Sequence, residues 1–179
     1  PDGRYVVFSS AATDLTADTY GNAANDVYLR DTVAGTTTLI SVNQAGTAAA
    51  NNSSEGHFRC VTPDGRYVVF HSSATDLTAD TDGNSTLDVF RRDVTTGTTV
   101  LVSFNAAGTA TGDAWSRKGF VSIDGRFVAY ESTATDIVAG DSNLGRDIFI
   151  RDLEANSTII ASRNVAGTGT GDVGSEEHY

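Results

Sequence analysis

Residues 63–70 read PDGRYVVF, and residues 1–8 read PDGRYVVF as well. A third version, IDGRFVAY, occupies residues 123–130. The likeness runs on past these octets. TDLTADTYGN at 13–22 is matched by TDLTADTDGN at 75–84, and DVYLRD, DVFRRD and DIFIRD follow at 26–31, 88–93 and 147–152. GTTTLISVNQAGT, GTTVLVSFNAAGT and NSTIIASRNVAGT close the three units. The chain therefore divides into tandem repeats at 1–62, 63–122 and 123–179. Self-similarity at a fixed period marks a repeat architecture, in which each unit buries its apolar face against the next.

Each unit reads as four short strands. Asp-Gly is a tight-turn dipeptide because both residues tolerate positive φ. It joins a strand ending near Thr62 to RYVVF, Arg66 to Phe70, whose two faces are both largely apolar. Such a strand belongs between two other sheets. DVFRR is the next strand, and Thr98 to Phe104, rich in β-branched residues, follows it. Gly119 to Ser122 leads into the next Asp-Gly turn. No stretch carries a convincing helical period, and abundant Thr, Ser and Gly disfavour helices. Four antiparallel strands repeated in tandem predict an all-β fold, a β-propeller of three blades of about 60 residues.

At these residues the chain resembles the TolB-like propeller repeat, also called the PD40 or WD40-like repeat. TPDGRYVVF and SIDGRFVAY, followed by DVFRRD and DIFIRD, carry the resemblance, which covers all three units. The family's usual Trp before the turn is replaced by Cys60 and Val121. The resemblance implies a propeller in a periplasmic, cell-surface or secreted setting more than it implies an activity. Propellers need roughly four to eight blades, so three form an incomplete ring with open edges. Head-to-tail self-association into a ring or a fibre is expected, or else further blades of a longer chain.

Composition narrows the partners. Twelve Lys and Arg against 23 Asp and Glu give a net charge of -11, which argues against nucleic acid and anionic membranes. No run approaches the roughly 20 apolar residues of a membrane span. The one cysteine, Cys60, sits in an alternating strand pattern and reads as a small buried residue.

The loop DTDGNSTLD, 80–88, places oxygen-bearing side chains at alternate positions. Calcium takes about six to eight oxygen ligands. Asp80, Asp82 and Asn84 would coordinate by side chain, Thr86 by its carbonyl, and Asp88 would close the shell. The spacing is similar to the calcium loops of integrin-type propellers. Asp18, Asn22 and Asp26 keep part of the pattern in the first unit, with Tyr20 interrupting it. Asp141, Asn143 and Asp147 form a shorter version in the third. Asp, Asn and Gly are also ordinary turn residues, so a polar turn is the competing reading. Ca2+ is favoured over zinc because the ligands are hard oxygens.

The repeated Arg30–Asp31, Arg92–Asp93 and Arg151–Asp152 pairs are expected to form ion pairs or cap the following turn. Asp14, Asp76 and Asp136 are expected to fix the start of each loop. His57, His71 and His178 share no repeat position and read as surface residues; Trp115 reads as a filler between blades. No nucleophile constellation is visible. The expectation is a non-catalytic, secreted or cell-surface propeller acting as a structural or self-assembling interaction module, its loops ordered by calcium. The alternatives are an accessory domain of a larger hydrolase and a lectin-like glycan binder.

Overall fold

A computed structural model describes residues 3–17, 24–141, 143–167, 169–171 and 174–175. Among them there is no helix, and therefore none long and apolar enough to cross a membrane. The strands are β1 (Tyr5–Ser10), β2 (Asp26–Asp31), β3 (Thr36–Leu39), β4 (Ser54–Val61), β5 (Tyr67–Ser72), β6 (Asp88–Asp93), β7 (Thr98–Leu101), β8 (Ser116–Val121), β9 (Phe127–Ser132), β10 (Asp147–Asp152) and β11 (Ser157–Ile160). They form three antiparallel sheets, ordered β1-β2-β3, β4-β5-β6-β7 and β8-β9-β10-β11. These are the blades of a propeller that is not closed. Each four-stranded sheet takes its first strand, β4 or β8, from the end of the preceding repeat unit.

The strand expected over Thr98 to Phe104 ends at Leu101, because the chain there leaves the sheet for the next blade. Val102 N–H still bonds Val89 O, and Phe104 makes only an isolated bridge to Thr111. The strand expected to begin at Gly119 begins at Ser116. Both first strands carry a register shift, between Gly56 and Val61 in β4 and between Arg117 and Phe120 in β8. Arg59 and Lys118 take positive φ within these bulges.

β5 is the buried middle strand that its two apolar faces predict. Val68 and Phe70 point into a core shared with Val27 and Leu29 of the first blade. Val69 points the other way, into a core with Cys60, Val128, Tyr130 and Phe149. The Asp-Gly turns set the blade spacing. Gly65 has φ +73, and a Cβ there would run into the ring of Tyr5 on the preceding blade; Gly125, at φ +76, stands in the same relation to Tyr67.

The repeated Asp at the end of β2, β6 and β10 does both jobs expected of it, but its ion-pair partner is not its neighbour. Asp93 accepts from Arg66 of the Asp-Gly-Arg turn at 2.9 Å and caps the N–H groups of Thr95 and Thr96. Asp31 pairs likewise with Arg4, and Asp152 with Arg126. These pairs hold the carboxyls of Asp31, Asp93 and Asp152 below the usual range, mainly by the guanidinium hydrogen bond. Arg30, Arg92 and Arg151 instead donate across the sheet to Thr37, Thr99 and Thr158.

Candidate cation loops and an inner polar cluster

The long loop of the second blade runs from β5 to β6 and is fastened at both ends. Asn51 and the Thr75–Asp76 pair clasp each other: Asn51 N–H donates to Asp76 Oδ1 at 2.9 Å, and Thr75 N–H to Asn51 Oδ1 at 3.0 Å. Asp113 and Thr135–Asp136 repeat the clasp in the third blade. Asp76 and Asp136 thus fix the loop start, and Asp14 is exposed.

Within the loop, Asp82 Oδ1 accepts the N–H groups of Asn84 and Ser85 at 3.1 and 2.8 Å. This Asx turn puts Ser85 at φ 53. Asn84 reaches both the Asp88 carboxyl and the outgoing segment. Its Nδ2 donates to Gly112 O at 2.6 Å and its Oδ1 accepts from Thr86 N–H at 2.6 Å. Thr111 and Thr81 also bond, N–H to carbonyl, at 3.1 Å. The loop therefore clamps the segment that carries the chain from the second blade to the third.

Asp88 opens β6 and is only 2 % exposed. Ser103 Oγ donates to its Oδ1 at 2.9 Å, and the same hydroxyl accepts Val89 N–H. Burial pushes the Asp88 carboxyl up to about 7, and the charge of Asp82 adds to the rise. Asp80, Asp82 and Asp88 line a cavity of about 10 Å³, floored by Leu77, Phe90 and Leu101. That space suits one water-sized particle. Asn84 and Thr86 do not line it. Among the described residues no three His, Cys, Asp or Glu side chains form a ready metal cluster, so the three carboxylates surround the cavity without meeting at one point.

The third blade gives the sharper observation. Asp147 is fully buried; Ser162 Oγ donates to its Oδ1 at 2.7 Å, and its Oδ2 has no hydrogen-bond partner. Asp141 lies near it: burial raises the Asp141 carboxyl first, and the Asp147 charge raises it further. Asn143 again bonds the outgoing segment, donating to Gly171 O at 2.7 Å. In the first blade Asp26 is buried and accepts from Ser41 at 2.7 Å, while Asp18 and Asn22 lie outside the described residues. A buried carboxylate oxygen without a donor is costly. A hard cation would satisfy it, and an all-oxygen donor set fits calcium.

A second polar group was not legible as a site from the sequence. Ser9, His71 and Glu131 occupy the same position in VVFSS, VVFHS and VAYES, and the structure buries the last two. Glu131 has zero exposure and receives Arg117 Nε at 2.6 Å, with Lys118 at 3.3 Å and Arg146 at 3.9 Å. The guanidiniums of Arg117 and Arg146 lie over Trp115, 4.5 and 5.5 Å from its ring. The expectation of a surface His71 is overturned. It is 7 % exposed, because β5 is covered on both faces, and burial pushes its imidazole down to about 4, with His57 and Arg117 adding to the fall. It is neutral at pH 7, so its 3.7 Å approach to Glu55 is not an ion pair there. The signal available in the sequence was the mismatch itself: one position of an otherwise faithful repeat changes from Ser to His to Glu.

No protein-family model matches this chain, and no curated protein matches it. Solved structures do. TolB from Acinetobacter baumannii superposes with a TM-score of 0.52 at 18% identity, over 89% of this chain and 30% of that one. A putative TolB from Agrobacterium tumefaciens superposes with a TM-score of 0.56 at 16% identity, over 92% and 44%. The chain thus spans less than half the length of either structure. At these identities the likeness establishes the fold, a TolB-like β-propeller.

Proposed function

We propose that the chain is a non-catalytic propeller module of a periplasmic, cell-surface or secreted protein, and that calcium rigidifies its β5–β6 and β9–β10 loops. The observation that carries this reading is the orphaned Oδ2 of buried Asp147 beside Asp141. The small cavity between Asp80, Asp82 and Asp88 supports it in the second blade. Calcium would be held by Asp141 and Asp147 in one loop and by Asp80, Asp82 and Asp88 in the other. It would supply positive charge beside Asp88 and Asp141, whose charged forms burial disfavours. Because each loop clamps the segment leading to the next blade, ordering the loop would also stiffen the joint between blades.

Self-association is a further part of the reading. Among the described residues β1 pairs only with β2, and its other edge would accept a strand of the β4 or β8 type. That strand could come from a second copy or from more of the same chain; light scattering on the isolated chain separates the two.

The test of the metal reading is a calorimetric calcium titration of chelator-treated protein, with melting curves in calcium and in EGTA. Saturable heat and a higher melting temperature in calcium are expected. Absence of both heat and shift returns these loops to polar turns.

A further inference from the structure

The grooves between adjacent blades are not alike. The groove between the first and second blades, about 340 Å³, is lined at one point by Leu29. The groove between the second and third, about 390 Å³, is lined at the corresponding point by Arg91. Arg151 faces the same groove from the third blade. Two guanidiniums therefore line one groove of a chain whose net charge is -11.

Among the described residues neither guanidinium forms an ion pair, although the charge of Asp93 acts on Arg91 and that of Asp152 on Arg151. Arg91 donates to Gly125 O at 2.6 Å and lies 4.4 Å from the Tyr67 ring centroid. Arg151 donates to Thr158 at 3.2 Å and to Asn156, and lies 5.4 Å from the Phe104 ring. The Nε atoms of both are buried without a hydrogen-bond partner, and Arg151 is only 6 % exposed. Burial lowers the pKa of both, so their charge is penalised where it stands. Asp80 is the acid on the groove lining, and it is exposed to solvent. The aromatic faces hold the two planar groups in place, which suits them to an oxyanion. Val100, Leu101, Phe104 and Leu153 supply apolar side chains to a lining that also carries Gln44, Thr78, Thr99 and Asn156.

We propose that the groove between the second and third blades binds a carboxylate carried on an apolar body, with Arg91 and Arg151 holding the carboxylate. The volume lies within the range of small-ligand sites.

The experiment follows the side-chain Nε–H resonances of Arg91 and Arg151 by NMR during titration with hexanoate, and separately with inorganic phosphate. Both resonances are expected to move with hexanoate in the millimolar range, and phosphate is expected to bind more weakly. Arg91→Leu installs the residue of the first blade and is expected to weaken hexanoate binding by about tenfold or more. Arg91→Gln serves the same purpose if the leucine variant does not fold. Motion of neither resonance, or unchanged affinity in the folded variant, overturns the site. Phosphate binding as tightly as hexanoate overturns the apolar part of the assignment.

Discussion

Arg117 donates its Nε–H to Glu131 at 2.6 Å, and Glu131 has no exposure to solvent at all. β8 and β9 present these two residues directly opposite each other in the sheet. Arg117, Lys118 and Arg146 all approach this carboxylate. Glu131→Gln removes that negative charge from beside the three cations. A loss of about 2 kcal/mol in urea denaturation is expected, moderated by the partial exposure of the cations. A stability change within error would show that solvent already neutralises the cluster.

His71 makes the fold acid-sensitive. Its folded pKa of about 4 lies below the ordinary value, so the unfolded chain binds its proton first as pH falls. The stability that neutral His71 permits is fully present above pH ~6.5 and is lost between there and about 4, by roughly 3 kcal/mol. Asp88 works in the opposite direction, since its raised pKa favours folding at low pH and loses that advantage as pH rises through about 7. The two oppose each other in the whole protein. The difference in stability between wild type and His71→Gln, measured from pH 4 to 7, isolates the histidine. That difference should shift in favour of wild type as pH rises, and a flat difference curve would exclude the assigned burial.

Gly125 and Gly108 separate packing from backbone strain. Both have positive φ, at +76 and +66. A Cβ at Gly108 meets nothing within 4 Å, whereas one at Gly125 collides with the Tyr67 ring. Gly108→Ala should cost about 1 kcal/mol from the left-handed backbone alone. Gly125→Ala should cost about 1–3 kcal/mol more, because the blades must move apart. Equal costs would mean that the Asp-Gly turns do not set blade spacing.

The Asp-Gly-Arg ion pairs should matter less than the caps they accompany. Arg66 is nearly half exposed, so solvent screens its side of the pair, although Asp93 itself is buried. Arg66→Ala is expected to cost under about 1 kcal/mol. Asp93→Ala also uncaps Thr95 and Thr96 and should cost about 1–2 kcal/mol. Chemical denaturation of the two variants gives the order directly.

Cys60 should be silent in the folded protein. It is 2 % exposed, and burial pushes its thiol up to about 11. Alkylation by iodoacetamide should proceed only through opening of the β4 region, and should become fast in denaturant. Rapid modification under native conditions would place Cys60 at the surface instead.

Much of this molecule is legible from repetition. Three aligned copies of Asp-Gly-Arg followed by an apolar strand gave the strand order and the turns, and the two-faced apolar pattern of RYVVF foretold its position between sheets. The strand ends were less legible. Thr98, Thr99, Val100 and Val102 make a run rich in β-branched residues, yet Ser103 is drawn out of the sheet to bond Asp88 and Val89 N–H. The loop acids were identifiable as a pattern, but their roles were not. Asn84 has the composition of a ligand and the position of a clamp, because a backbone carbonyl of the next segment lies 2.6 Å away.

The all-β class, the three repeat units and the turn chemistry can be read from the residues alone, because they depend on local backbone preferences and on spacing along the chain. Which charges are buried emerges only once the blades pack. His71 and Glu131 look like any polar residue in a strand until a neighbouring blade covers them. Arg91 is merely the residue after Phe90 until the fold brings Arg151, 60 positions further along the chain, to the same groove. Burial and charge pairing between blades are long-range properties, set by which strands meet, and no local pattern encodes them.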